Sequence, residues 1–294
     1  MDKSIVLPGF FPGSTESIDV FQEALDIIKL YDIRWIEFYY SGKNKNEVKK
    51  LLEESNLESI YLGAMAAKTK GLNISSLDKD IRVNSINLLK ECIDDAYFYK
   101  SKRILINSGK RSDKNKDIKK SLNYLKESIF ELLNYIDNCK ENEPLILTLE
   151  PGDTEIDWRE LIGSTDLAIE IADEIKTKYS NFELTIDTSH LLQLGENPLE
   201  SIKKAKDYTN HIHLANCLIE DQSSLYYGDK HPDFDLENSE LSSSDIKEIF
   251  NEIISIYKNN SEKNNFIIGM EIIIDNIDKF NDVRTRHDWF FKKY

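Results

Sequence analysis

Cysteine is scarce in this 294-residue chain: Cys92, Cys139 and Cys217 are the only three, and no two form a CxxC pair. An odd, scattered set of thiols is the usage of a reducing compartment, and it argues against a disulfide framework or a structural zinc site. Long hydrophobic runs are missing as well. The most apolar windows, such as residues 266–274, are short and interrupted by Glu271, so nothing reads as a membrane span. Basic charge is in deficit. Lys+Arg number 38 against 53 Asp+Glu, a net charge of -15; such a field favours solubility and repels polyanions, so nucleic acid is not the expected partner. The stretch Met1 to Leu7 meets Pro8 before a signal-peptide core develops, and the expected location is the cytoplasm. No Pro/Gly/Ser linker divides the chain, and no repeat stands out. Pro8-Gly9-Phe10-Phe11-Pro12 occupies the place where a dinucleotide-binding fold carries its glycine-rich turn. All five histidines fall at position 190 or later.

What is present is an alternation. Hydrophobic residues at 40% and charged residues at 31% are enough for one sizeable core. Eight short β-branched or aromatic runs recur: Ser4–Phe10, Trp35–Tyr40, Ser59–Ala64, Arg103–Ser108, Leu145–Glu150, Phe182–Asp187, His211–Ala215 and Phe266–Ile272. Near-continuous apolarity over strand length suits parallel strands covered on both faces. Amphipathic helical patterns separate them, at Ser17–Leu30, Lys45–Glu54, Asp78–Tyr99, Lys116–Cys139, Ser164–Tyr179, Pro198–Lys206, Ser244–Tyr257 and Asp275–Phe290. Strand–helix repeated eight times predicts an α/β protein, a (β/α)8 TIM barrel, with residues 1–294 as a single domain. Residues 113–117 and 258–265 are charged, Asn-rich and expected to be solvated loops. The longer connections 65–76 and 217–238 are expected at the catalytic face of the barrel.

Charged groups interrupt the apolar runs at telling places. Glu150 ends LILTLE, Asp187 ends FELTID, His213 lies in HIHLANC and Glu271 in FIIGMEI. Carboxylates within apolar strands are costly to bury unless paired, protonated or bound to a cation. Four such residues on four successive strands would converge at the barrel mouth. Two Glu, one Asp and one His make a mostly oxygen donor set, suited to one divalent ion: Mn²⁺, Mg²⁺ or Co²⁺, with Zn²⁺ also compatible. The alternative, that each is a separately satisfied buried polar group, fits any one of them but fits four in this order poorly.

The succession TLEP, IDTSH, HIHLANC and GMEI resembles the xylose-isomerase-like barrel superfamily, and in particular its sugar isomerase and epimerase branch. The resemblance extends over nearly the whole chain. It implies that Glu150, Asp187, His213 and Glu271 bind the metal, with manganese the first expectation, and that the substrate is a small carbohydrate. It also implies a mechanism. The ion holds neighbouring carbonyl and hydroxyl oxygens of an open-chain ketose, while catalytic Glu150 and Glu271 stand on opposite faces. One removes a proton and the other returns one to the enediolate. Homo-oligomers are frequent in this branch. His190 matches a substrate-contact position of the family, and Glu37 in WIEFYY is a further candidate contact. A known epimerase pattern places an Arg a few residues after the strand-seven His, where this chain has Leu218, Ile219 and Glu220. Lys230 and His231 are the polar residues expected to substitute for it. His211, two residues before His213 on the same strand face, reads as a packed, satisfied histidine, and His287 as surface or helix-cap material.

Two other readings use the same ligands. A metal-dependent lyase or dehydratase would lose a β-leaving group after proton abstraction. Asp229-Lys230-His231 also has the D-x-H form of the apurinic endonuclease branch, where it binds an additional zinc, and His190 would join it. That branch also needs histidines from strands three and four, which YLGAMAAK and ILINSGK lack, and DNA binding calls for a basic face.

Overall fold

In the computed structural model, which describes residues 1–111, 117–139, 143–258 and 266–292, eight parallel strands close into a barrel in chain order. They are Asp2–Val6 (β1), Trp35–Phe38 (β2), Glu58–Leu62 (β3), Arg103–Asn107 (β4), Ile146–Glu150 (β5), Phe182–Asp187 (β6), Thr209–Leu214 (β7) and Ile267–Met270 (β8). Each corresponds to one of the apolar runs. The helices between them begin where the sequence offers caps: the Ser17 side chain accepts from Val20 N, Asp78 from Asp80 and Ile81, and Asn197 from Glu200.

Four expectations are corrected or sharpened. The first strand stops at Val6, and Leu7–Phe10 forms a helical turn with Pro8 near its start, where a missing N–H costs nothing. The connection expected over 65–76 opens with a helix, Gly63–Thr69. The last helical pattern is not continuous: it divides into Ile277–Lys279, Phe280–Arg286 and Asp288–Phe291, with His287 at the second junction. His287 occupies the cap position between the last two helices, as one of its two expected readings had it, but it is fully buried rather than on the surface, with its Nε2 2.7 Å from Asp233. The loops expected at 113–116 and 259–265 lie outside the described residues.

Strand residues two apart share a face, so every second side chain points into the barrel. One side of the interior is apolar, filled by Val6, Ile60, Leu62, Leu105 and Ile267. The other side is polar, with Thr148, Thr185 and His211 hydrogen-bonded in sequence across β5, β6 and β7. The larger apolar core lies between the strands and the helical ring. Register aligns Asn107 with Glu150, Asp187 with His213 and His213 with Gly269. Gly269 is required there. A Cβ at this position would come within 2.6 Å of Glu37 Oε1 and 3.0 Å of His213 Cδ2. Among the described residues, no helix is long and apolar enough to cross a membrane.

Candidate metal centre and active site

Continuing the inward alternation of β5, β6, β7 and β8 upward brings Glu150, Asp187, His213 and Glu271 to one point above the polar half of the interior. Glu271 lies one residue beyond the end of β8. One donor atom from each falls within 4.8 Å of the others. The centre of the group is His213 Nδ1, at 2.8 Å from Glu150 Oε1, 3.1 Å from Glu271 Oε2 and 3.8 Å from Asp187 Oδ2. The ring is held from below: Nε2 lies 2.9 Å from Glu37 Oε2. Glu37 Oε1 in turn accepts from Ser4 Oγ and lies 2.9 Å from His211 Nε2. A carboxylate on the far nitrogen of an imidazole fixes the ring and leaves the near nitrogen for a cation.

The electrostatics follow from this packing. Burial would raise the Glu37 carboxyl, but His211 and His213 outweigh it and hold it well below the usual carboxylate range. Burial would lower His213, yet Glu37 and Glu150 raise it well above an ordinary imidazole. Asp187 is pushed up, first by burial and then by the charges of Glu271 and Glu150, against the opposing His190 and His231. Its Oδ1 accepts from Ser189 N, Ser189 Oγ and His190 N, whereas its buried Oδ2 has no hydrogen-bond partner. Three carboxylates around one imidazole nitrogen, with an orphaned oxygen facing it, suit a divalent cation.

A second donor group adjoins the first. Asp187, His190 and His231 also bring one donor atom each within 4.8 Å. Asp229 Oδ1 lies 2.7 Å from His231 Nε2 and 3.5 Å from His190 Nδ1, and His231 Nδ1 is 3.1 Å from Glu271 Oε1. His231 adopts a left-handed backbone, φ 40°, which a non-glycine residue keeps only when its surroundings demand it. A third grouping, Glu37 with His211 and His213, is occupied by its own hydrogen bonds.

Beside these groups opens a cleft of about 710 Å³ between the segments that follow β3, β4 and β5. Lys68 reaches into it with its ammonium 4.4 Å above the Trp158 ring, 3.9 Å from Glu160 Oε1 and 3.9 Å from Asp229 Oδ2. Burial pushes the Glu160 carboxyl up to about 7, and Lys68 and His190 only partly counter it. Asn107, at the end of β4, also lines the cleft; neither its amide oxygen nor its nitrogen has a hydrogen-bond partner.

The match to known proteins agrees with this fold. Residues 16–256 fit the model of the xylose isomerase-like TIM barrel family. The chain belongs to that family. Among solved structures, this xylose isomerase-like barrel is similar to a D-tagatose 3-epimerase-like protein (16% identity, 99% of this chain and 98% of that one, TM-score 0.70). It is similar to D-psicose 3-epimerase from Clostridium cellulolyticum H10 (15%, 99% and 98%, 0.68) and to a family 2 AP endonuclease from Brucella melitensis (14%, 99% and 100%, 0.67). At such identities the likeness speaks for the fold. Among curated proteins, none matches the sequence closely enough to count as a relative.

Within this xylose isomerase-like barrel, the residues singled out from sequence fall in three places. Glu150, Asp187, His213 and Glu271 come together. His190 and His231, expected as substrate contacts, stand in the second donor group. Glu37 and Lys230 lie outside these two donor groups: Glu37 is fully buried with both oxygens engaged beneath His213, and Lys230 is half-exposed and paired with Asp157 at 2.7 Å. Sequence reasoning misses Lys68, Asn107 and Glu160. Asn107 carries the usable signal, a polar residue closing an apolar strand, as at Glu150 and Asp187.

Proposed function

We propose that the protein is a divalent-metal-dependent isomerase or epimerase of a keto-sugar, moving a proton through an enediolate. The observation that carries this reading is the convergence of Glu150 Oε1, Asp187 Oδ2 and Glu271 Oε2 on His213 Nδ1. When bound there, a divalent ion (Mn²⁺ first, with Mg²⁺, Co²⁺ and Zn²⁺ as alternatives) would acidify the C–H beside a carbonyl. Asp187 is the fixed anchor, since the backbone amides of Ser189 and His190 hold its other oxygen. Glu150 and Glu271 extend from β5 and β8, which lie on opposite sides of β6 and β7, so they approach a substrate from different sides. One carboxylate takes the proton and the other delivers one. Return to the opposite face of the same carbon gives an epimer, and return to the neighbouring carbon gives an aldose–ketose isomer. The epimerases among the similar structures support the substrate class.

A second reading has its own observation. The donor group of Asp187, His190 and His231 with Asp229 favours a two-ion centre for phosphodiester hydrolysis, as the likeness to an AP endonuclease also does. It is ranked lower because the cleft beside β3 and β4 carries Lys68 and Asn107 in place of further imidazole ligands.

The deciding experiment incubates ketoses, ketose phosphates and keto-glycosides with the Mn²⁺-loaded protein in deuterium oxide. Label should enter one substrate carbon without net elimination. Glu150→Gln and Glu271→Gln should each lower that exchange by about 10²–10⁴-fold. Full exchange in either variant overturns the two-glutamate mechanism. Loss of water or of an aglycone would instead identify a lyase, and cleavage of abasic-site DNA would favour the second reading.

A further inference from the structure

The cleft beside the proposed metal centre brings polar and cationic side chains in among apolar walls, next to the half of the barrel interior that is apolar throughout. Leu105 and Leu62 belong to the apolar half, yet β4 ends in Asn107, directly above Leu105 and in register with Glu150. The Asn107 side chain is 9% exposed, and both ends of its amide lack a partner. A buried amide in that condition is destabilising unless something else hydrogen-bonds it.

Three cations line the same cleft, Lys68, Lys110 and Arg111, in a chain whose net charge is -15; Arg111 is paired with Glu155 at 3.1 Å, which leaves Lys68 and Lys110 as the candidate ligand contacts. Its carboxylates are already engaged. Asp157 takes Lys230 at 2.7 Å and the Asp229 amide, and Asp78 caps the helix Lys79–Phe98. Glu160 accepts from the Ser108 amide and hydroxyl. Lys68 is steered into the cleft by the Trp158 face, with its two carboxylate neighbours at the long distance of 3.9 Å. The Lys110 ammonium has no ion-pair partner among the described residues, and its carbonyl is fixed by Asn73 Nδ2 at 2.6 Å.

We propose that this cleft binds the end of the substrate remote from the metal, and that this end is anionic, a carboxylate or a phosphate. Asn107 Nδ2 and the Lys68 and Lys110 ammonium groups would donate to its oxygens. The substrate class is then a keto-sugar acid or a keto-sugar phosphate rather than a neutral sugar. The inference rests on the metal-dependent reading for the other end of the substrate, but the cleft can be tested apart from turnover.

The experiment titrates D-fructose, D-fructuronate and D-fructose 6-phosphate calorimetrically into Mn²⁺-loaded protein, with deuterium exchange followed in parallel. At least one anionic sugar should bind about tenfold or more tighter than D-fructose, and the tighter of the two names the source of the charge. Lys68→Met and Asn107→Leu should each erase most of that preference, Lys68→Arg should keep it, and Lys50→Ala, an equal change of net charge on an exposed helix, should leave it intact. Neutral sugar bound as tightly as both anions by the wild-type protein overturns the proposal, and that comparison needs no variant to fold. A preference that survives Lys68→Met and Asn107→Leu together also overturns it, because the metal alone would then be taking the anion. Anion preference without exchange of any sugar would retain the cleft and reject the proton-transfer reading.

Discussion

Glu160 is a carboxyl whose environment opposes its charge, and its titration should be visible in stability. Its folded value of about 7 lies above the ordinary 4.5, chiefly through burial. The sign follows from linkage: the benefit of keeping it neutral is complete below pH 4.5 and is lost as pH rises through about 7. In metal-free protein, Glu160→Gln should therefore gain on the parent by up to about 3 kcal/mol between pH 4.5 and pH 8. Paired thermal melts across that range measure it, and a gap that does not change with pH would mean that Glu160 ionises as an ordinary carboxyl. The grouping of the four proposed metal ligands was legible in the sequence because a carboxylate or imidazole closing an apolar strand is too costly to bury without a partner. Glu37 also lay inside such a run, but its partner was not readable there. The hydrogen bond that decides its role reaches across 176 positions to His213.

At the scale of the element, Asp187 serves two structures through its two oxygens. Oδ1 caps the helix Thr188–Gln193, and Oδ2 faces the metal donors. Asp187→Asn keeps an acceptor for the cap, so its metal-free melting temperature should stay near that of the parent. Asp187→Ala should lose about 1 kcal/mol in addition. Both should lose the rise in melting temperature that Mn²⁺ gives the parent; if Asp187→Asn still responded fully to Mn²⁺, Oδ2 would not be a ligand. The eight strands could be read from apolar runs of the right length between helical patterns. Leu7–Phe10 could not, since an apolar tetrapeptide after a strand has no period of its own, and tertiary packing made it a helical turn. The broken last helix has a comparable cause, because burying His287 against Asp233 interrupts a segment whose periodicity runs on.

For the molecule as a whole, acidity is concentrated where it is least comfortable. Glu37, Glu150, Asp187, Asp229, Glu160 and Glu271 lie in or around one buried region of a chain with net charge -15. A divalent ion at that point should stabilise the fold by about 2.7 kcal/mol when present at about 100 times its dissociation constant. Melting with Mn²⁺ and with EDTA measures this, and the difference should be larger at low ionic strength. A melting temperature indifferent to Mn²⁺ would count against the site. The barrel and its net charge were legible in the sequence, but it held little sign of the cleft, whose walls come from three connections distant in the chain.

The Glu37–His213 contact bears on how such a protein comes into being. All four proposed metal donors come from the second half of the chain, but the residue that orients their imidazole comes from β2. A chain in which β5 to β8 have assembled therefore has every ligand and still lacks the support that aims His213 Nδ1. That support arrives only with barrel closure, one of the longest loop closures the chain must make. On the proposed assignment, the site is complete only once the barrel has closed, and a partly assembled barrel would have no finished site in which to trap an ion.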